Sequence, residues 1–160
     1  MGDLSEFSLP VRLFLRAYRW RAIDPVPWAP LRVPLARARL ALVSSAGFVL
    51  PWQEPFDEHA RGGDPSLREL PSDADLSALV DTHRSDSFDH GPMRRDANLA
   101  FPLERVRELA ARGRIGAVNH RHWSFMGGLT ATGRFTTETL PRAAAAAAAD
   151  GVDAALFVPV

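Results

Sequence analysis

The stretch ARLALVSSAGF, residues 38–48, predicts a buried strand that ends in a turn of small residues. Residues 40–44 form a short, almost continuous apolar run, which is typical of a strand covered on both faces in a parallel sheet. The small residues at 44–47, Ser-Ser-Ala-Gly, then predict the turn. A similar pattern recurs in DGVDAALFVPV, residues 150–160, where Gly151 predicts a helix end and residues 154–158 predict a second buried strand.

Two helices are predicted between these strands. FPLERVRELAARG, residues 101–113, has Pro102 at the first helical position, an apolar face at helical spacing and a glycine as its stop. TTETLPRAAAAAAADG, residues 136–151, predicts a helix with Thr136 or Thr137 as N-cap residue. Its run of alanines favours helix and carries no functional signal.

Two further strands are predicted, at residues 79–82 and 114–118, while residues 51–75 and 119–133 read as long loops. Apolar strands that alternate with helices indicate an α/β fold. We therefore expect a mostly parallel sheet with flanking helices, in a Rossmann-like three-layer arrangement.

The N-terminal segment is predicted to differ from the rest. Apolar residues between positions 9 and 20 suit a short amphipathic helix, and prolines 25, 27, 30 and 34 then require an extended strap. Burial of Trp20 and Trp28 is expected to anchor this strap. The predicted domains are residues 1–36, the helix and strap, and residues 37–160, the α/β domain, which we expect to be incomplete at its C-terminal end.

Composition excludes several function classes. The 19 basic and 19 acidic residues cancel, which argues against nucleic-acid binding and against a membrane surface. All the basic residues are Arg, so a lysine Schiff base is excluded within this chain, and the absence of Cys excludes disulfides and thiolate chemistry. No apolar run has the length of a membrane span and no signal-peptide pattern is present, so we expect a cytoplasmic protein.

The predicted sheet brings several loops to one edge. In open α/β sheets, ligands bind at the carboxyl ends of the strands. This rule places together the turn at 44–47, the loop at 83–98, the loop at 120–128 and whatever follows Val160. A functional site is therefore expected at this edge.

The segment DTHRSDSFDHGPMRRD, residues 81–96, is the first candidate. It contains two histidines and four aspartates directly after a predicted strand, at positions 81, 83, 86, 89, 90 and 96. Histidine and carboxylate side chains serve both acid–base and metal chemistry. The alternative is a solvated loop in which the aspartates form Asx-type turns.

The segment NHRHWSFMGG, residues 119–128, is the second candidate. His120 and His122 would project to one side of an extended chain, and with His83 or His90 they would complete a zinc or iron site. The glycines at 127 and 128 would let the backbone approach a substrate or bind an anion. A serine hydrolase is disfavoured because Ser124 lacks the context of a nucleophile elbow.

Six blocks of the sequence together resemble a known family. They are YRWRAIDPVPWAPL (18–31), ALVSSAGFVLP (41–51), GDPSLRELP (63–71), DANLAFPLERVRELAARGRIG (96–116), HWSFMGG (122–128) and DGVDAALFVPV (150–160). Their order and spacing are similar to those of the selenoprotein B family of glycine/sarcosine/betaine/D-proline reductases, in its shorter, single-domain form.

The resemblance implies a redox enzyme with a nucleophile that this chain does not contain. In the family, a selenocysteine or cysteine directly follows the strand that matches AALFVPV, and its chalcogenolate attacks the α-carbon of a small amine or amino-acid-like substrate. A pyruvoyl group on a partner subunit holds the substrate, and a thioredoxin-type or other thiol reductant supplies the electrons for C–N cleavage. We therefore expect a selenocysteine codon, UGA, directly after codon 160, and no activity from the 160 residues alone.

The resemblance also directs the choice of site residues. We expect proton transfer by one or more of His83, Asp86 and His90. Substrate binding is expected at small residues on the same edge, namely Ser45, Gly47, Ser124, Gly127 and Gly128. Two alternatives stay open: a metal-binding enzyme or module that uses the histidines at 83, 90, 120 and 122, and a non-catalytic truncated remnant.

Overall fold

The computed structural model describes residues 5, 7–18, 22–86 and 89–160. The chain divides into two compact units, Met1–Pro30 and Leu31–Val160. The predicted domain boundary between residues 36 and 37 stays a prediction.

The first unit contains the helix α1 (Leu9–Ala17). Pro10 lies in its first turn, where the missing N–H costs little, and the backbone becomes extended at Tyr18. The predicted helix is thus confirmed up to residue 17, and Trp20 lies outside the described residues. The expectation that Trp28 is buried is wrong, because its side chain is 85% exposed.

The second unit is built on a mostly parallel sheet. Its central strand is β1 (Arg39–Ser44), which pairs in parallel with three later strands. The other strands of the unit are β2 (Phe48–Val49), β3 (Arg68–Pro71), β4 (Val80–Asp81), β5 (Ala117–Val118), β6 (Arg121–Ser124) and β7 (Ala154–Val158). β5 and β6 pair in succession along one side of β1, β7 pairs along the other, and β3 lies antiparallel outside β6. The predicted α/β class with a mostly parallel sheet is confirmed, and the Rossmann-like three-layer detail stays a prediction.

Helices pack on both faces of this sheet. The helices are α2 (Gly91–Arg95), α3 (Leu103–Ala111) and α4 (Leu140–Ala149). Leu42 of β1 packs in a cluster with Leu103 and Val106 of α3. Its neighbours Ala41 and Val43 pack with Trp123 and with alanines of α4. Because successive side chains of a strand point to opposite faces, this alternation places α3 and α4 on opposite sides of β1.

The start of the last helix differs from the prediction. Thr136 and Thr137 were expected as N-cap residues, but they lie in a wide π-type turn, Phe135–Thr139, that runs directly into α4. Their hydroxyls donate to carbonyls of the preceding turn, Thr132 and Gly133, rather than accept N–H groups. This back-bonding is typical of threonine inside a helix, so the cap assignment is wrong.

Two predicted loops contain strands. Residues 51–75 include β3, and residues 119–133 include β6. Both strands are short and carry polar side chains where an apolar pattern is expected. Pro71 is tolerated at the end of β3 because this strand is at an edge of the described sheet.

Two predicted strands take unexpected places. The strand predicted at 79–82 is β4, which pairs antiparallel with β2 in a separate two-stranded sheet. The strand predicted at 154–158 is confirmed as β7, but the expectation that it is buried is wrong. Leu156 is 42% exposed and Phe157 is 63% exposed, because in the described part of the chain β7 pairs with β1 alone.

Candidate functional site

The carboxyl end of β1 is the point where three segments meet. The Ser44 carbonyl accepts from the amide of Phe125 at 2.9 Å, and the Ser45 carbonyl accepts from the amide of Gly127 at 2.9 Å. On the other side, the Ser45 amide donates to the Val158 carbonyl at 3.1 Å. The amide of Val160 donates to Ser45 Oγ at 2.8 Å. The turn after β1 thus contacts the end of β6 on one side and the end of β7 on the other, at the edge where the strand-end rule predicts a site.

Gly47 brings a histidine to the same turn. Its φ of +67° suits glycine, and a Cβ there would lie 3.1 Å from both N and Cα of His83. The Gly47 carbonyl accepts from the hydroxyl of Thr82 at 2.7 Å. Close approach of the two backbones therefore fixes His83 against the turn.

His83 is held as a neutral imidazole. Its side chain is buried, and its Nδ1 accepts from the amide of Ser85 at 3.1 Å. Burial lowers the pKa of His83, and the neighbouring charge of His90 lowers it further. Because Nδ1 accepts, the neutral ring carries its proton on Nε2, so His83 presents an N–H donor at this nitrogen.

His90 is held in the opposite protonation state. Its Nε2 lies 2.7 Å from the Ser85 carbonyl and its Nδ1 lies 2.6 Å from Asp81 Oδ2. A carbonyl and a carboxylate both accept, so both ring nitrogens carry protons and the ring is an imidazolium. The bond to Ser85 and then the bond to Asp81 raise the pKa of His90. His90 is therefore a fixed cation beside His83, with the ring centroids 6.0 Å apart.

Asp81 anchors this pair. Its Oδ2 accepts from His90 and from Arg94 Nε at 2.8 Å, and its Oδ1 accepts from the amide of His83 at 3.0 Å. Burial opposes ionisation, but the bonds from His90, from the His83 amide and from Arg94 outweigh it and lower the pKa of Asp81. The ionised carboxylate ties β4 to α2 and positions both histidines.

The aspartates of this loop form Asx-type turns as well. Asp81, Asp89 and Asp96 each accept from the backbone amide two residues later, at 3.0, 2.8 and 3.0 Å. The loop therefore forms the Asx turns that were expected of a purely structural loop. It also holds His83 and His90 next to each other, as was expected of a functional site. Asp86 is exposed, and among the described residues no hydrogen bond or ion pair to its side chain is seen.

The predicted substrate-binding residues lie around the same turn. A Cβ on Gly127 would lie 3.0 Å from Ser45 Cβ, and a Cβ on Gly128 would lie 3.9 Å from His83 Cε1. Ser124 pairs with Ser44 across the sheet and is fully buried, one step further from the edge. Ser45, Gly47, His83, Gly127 and Gly128 are thus neighbours; their roles stay predictions.

Arg84 is a site residue that the sequence analysis missed. Its guanidinium donates to the carbonyl of Gly128 at 2.9 Å, to that of Ala60 at 2.9 Å and to that of Glu58 at 3.5 Å. It lines a cavity of about 630 Å³ together with Glu58, His59, Ser85, Gly127, Gly128, Leu129 and Thr130. The signal available in the sequence was its position directly after His83 in the strand-end loop.

The four histidines proposed for a metal do not form one cluster. His120 is exposed, with its Nε2 3.7 Å from Asp150 Oδ2. His122 is buried, and its Nδ1 accepts from the amide of Leu42 where β5 gives way to β6. Across residues 5, 7–18, 22–86 and 89–160, no three His, Asp or Glu side chains are placed to hold a metal ion.

A second polar cluster joins β6 to the end of α4. Arg121 donates from Nε and Nη2 to the two oxygens of Asp150, each at 2.7 Å, and Asn119 Nδ2 donates to the same carboxylate at 3.0 Å. The bonds from Arg121 and Asn119 lower the pKa of Asp150, and the bond to Asp150 raises the pKa of Arg121. This cluster is structural.

Among the described helices, none is long and apolar enough to cross a membrane. No protein-family model matches the chain, and no solved structure matches it.

One curated protein is similar to the chain over most of its length. This is the D-proline reductase subunit gamma of Acetoanaerobium sticklandii, with 34% identity over 136 residues. The alignment covers 84% of this chain and 54% of that protein, so the chain spans about half the length of the relative. The chain is therefore related in sequence to a subunit of a reductase.

Proposed function

We propose that this protein is part of a reductase that cleaves the C–N bond of a small amine or amino acid, as a member of the selenoprotein B type. The observation that carries the proposal is the 34% identity to a D-proline reductase subunit over 136 residues. The strand-end cluster of Ser45, Gly47, His83, Gly127 and Gly128 supports it, because polar groups and close backbone meet there beside a cavity.

The proposed reaction is a two-electron reduction. The bond between the α-carbon and nitrogen breaks, carbon and nitrogen each gain one hydrogen, and two thiols supply the electrons and become a disulfide. Applied to D-proline, this cleavage opens the ring and gives 5-aminopentanoate. A thioredoxin-type or small-molecule thiol restores the reduced state.

We assign the nucleophile to a selenocysteine or cysteine that follows Val160 in the reading frame. The Val160 amide donates to Ser45 Oγ, and Ser45 in turn lies against Gly127. A residue that follows Val160 would thus start from the edge where the candidate site residues meet. A carbonyl group on a partner subunit, pyruvoyl in the family that the sequence resembles, would hold the substrate amine.

His83 is the proposed hydrogen-bond donor to the reacting groups. Its neutral ring carries a proton on Nε2, and it lies beside Gly128 at the cavity. A hydrogen-bond donor at this place can bind the leaving nitrogen or stabilise a chalcogenolate. The neighbouring imidazolium of His90 adds positive charge, which favours the anionic form of a thiol or selenol.

The test has two parts. The nucleotides after codon 160 should read UGA or a cysteine codon, followed in frame by proline and a second cysteine codon; UAA or UAG would contradict the assignment of the nucleophile. The product of that frame, purified with its partner subunits, should convert D-proline, glycine, sarcosine or betaine to its C–N cleavage product only when a dithiol is present. Absence of cleavage with all four substrates would contradict the proposed function.

A further inference from the structure

The cavity beside His83 contains a positive charge that the proposed reaction has not used. Arg84 follows His83 directly, and its side chain lies over Gly128, with Nε 3.4 Å and Cγ 3.5 Å from the position that a Cβ would take. These distances are ordinary van der Waals contacts, so the arginine side chain packs directly on the Gly128 backbone. This contact places the guanidinium in the wall of the cavity.

Backbone carbonyls hold this guanidinium in place without neutralising it. Nη1 donates to the carbonyl of Ala60 and, at greater distance, to that of Glu58, while Nη2 donates to that of Gly128. A guanidinium has more N–H donors than these contacts use, so it keeps donors for a ligand. Within the described ranges no carboxylate forms an ion pair with Arg84, whereas Arg94 and Arg121 pair with Asp81 and Asp150.

The other charged groups of the cavity do not cancel the charge of Arg84. Glu58 Oε1 lies 3.5 Å from His59 Nε2, and both side chains are mostly exposed, at 65% and 89%. Arg68 and Arg107 also donate to backbone carbonyls, but neither lines this cavity. Arg84 therefore combines a fixed position, an uncompensated charge and a place next to His83.

We propose that Arg84 binds the carboxylate of a small amino-acid substrate in this cavity. The inference rests on the proposed function, because it places the substrate of that reaction. A planar guanidinium matches a carboxylate with parallel N–H donors, which fixes orientation as well as charge. A cavity of about 630 Å³ admits a molecule of this size beside His83. Arg84 then selects carboxylate-bearing amines over neutral ones.

The test compares a charged ligand with its neutral analogue. Binding of D-proline and of D-prolinamide to the full-length protein is measured by NMR titration for wild type, Arg84→Gln, Arg84→Lys and Arg61→Gln. Arg61 is the matched control, an exposed arginine of the neighbouring loop. We expect Arg84→Gln to weaken D-proline binding by about tenfold to a hundredfold and to leave D-prolinamide binding unchanged. Arg84→Lys should give an intermediate loss, and Arg61→Gln none.

A purely structural role for Arg84 would give a different result. Arg84 bridges two loops, so its loss through misfolding would weaken both ligands together, and that outcome would overturn the proposal. Unchanged D-proline binding in Arg84→Gln, or no binding of D-proline by wild type, would overturn it as well. The binding site and the proposed reaction can also be separated. If the protein binds a carboxylate through Arg84 but cleaves no C–N bond, the binding site is supported and the proposed reaction is contradicted.

Discussion

Two clusters of histidine, aspartate and arginine lie at opposite ends of β6 and have different consequences. At one end, Asn119 and Arg121 donate to the carboxylate of Asp150, which pairs with the charge of Arg121. At the other end, beyond Ser124, the chain reaches Gly127 and Gly128, where Arg84 lines a cavity and His83 lies against Gly128. The residue types are the same in both clusters. Position relative to the carboxyl ends of the parallel strands separates the structural cluster from the candidate site.

Two of the buried or half-buried histidines differ in protonation state. His122 is buried in the sheet, and burial lowers its pKa to about 4. His90, at the candidate site, has its pKa raised by acceptors at both nitrogens. The sheet thus keeps His122 neutral, because its Nδ1 accepts from the Leu42 amide as a backbone carbonyl would. The loop keeps His90 charged beside His83.

The largest expected difference between the two clusters is in catalysis. His83→Gln in the assembled reductase should lower the rate of C–N cleavage by about a hundredfold to a thousandfold, because it removes the proposed imidazole hydrogen-bond donor. His120→Gln, an exposed histidine of the structural cluster, is the matched control and should keep the rate. The readout is the steady-state rate with a dithiol as reductant. Equal rates for His83→Gln and wild type would remove His83 from the mechanism.

His122, buried in the sheet next to the structural cluster, should contribute to the pH dependence of stability between pH 4 and pH 6.5. The unfolded chain binds a proton at His122 near pH 6.5, whereas the folded chain binds it only near pH 4. Stability from neutral His122 is therefore present above pH 6.5 and is lost as the pH falls toward 4, by on the order of 3 kcal/mol.

Urea unfolding of wild type and His122→Gln at several pH values measures this effect. The Gln side chain can still accept from the Leu42 amide, so the variant should fold. Its free energy of unfolding should lack the decrease between pH 6.5 and pH 4 that His122 causes. The same slope in both proteins would show that His122 titrates normally in the folded state.

Because its backbone lies against His83, Gly47 should be more sensitive to substitution by alanine than Gly113. Gly47 and Gly113 have similar φ values, +67° and +65°, but only the first has neighbours within 4 Å of a Cβ, on His83. Gly113→Ala should cost about 1–2 kcal/mol from the left-handed conformation alone. Gly47→Ala should cost more and should also displace His83, which chemical shifts of its ring would report. Equal costs and an unmoved ring would contradict the fixed position of His83.

The smallest expected effect is at His90, above neutral pH. Because its folded pKa is raised above 6.5, its contribution to stability is fully present below that pH and is lost as the pH rises through the folded pKa. The stability difference between wild type and His90→Gln should therefore shrink between pH 6 and pH 9. A difference that grows over this range would show that His90 is neutral in the folded protein.

The sequence predicted the parts of the fold that carry an apolar pattern. The runs at β1 and α3 have such patterns, and both elements lie where they were expected. β6 was missed because His122 and Ser124 are buried polar residues at positions where strands usually carry apolar ones. Thr136 and Thr137 were misplaced because their hydroxyls satisfy a helix turn from within as readily as from its end.

The candidate site could be located from sequence but not resolved into roles. Strand order brought the turn after β1, the histidine loop and the glycine pair to one edge, and the structure has them there. The protonation states of His83 and His90 depend on which backbone groups face each nitrogen, and no pattern of residues encodes this. Arg84 was overlooked because an arginine in a polar loop is ordinarily a solvated residue.

The comparison between the two ends of β6 is tested most directly by mapping where substrate binds. In a ¹⁵N-resolved NMR titration of the 160-residue chain with D-proline, the account predicts shifts at the amides of Gly47, Gly127 and Gly128 and at Arg84 Nε. Asn119 and Asp150 should stay unperturbed. Shifts confined to Asn119, Arg121 and Asp150, or none at the glycines up to saturating D-proline, would contradict the assignment of the site.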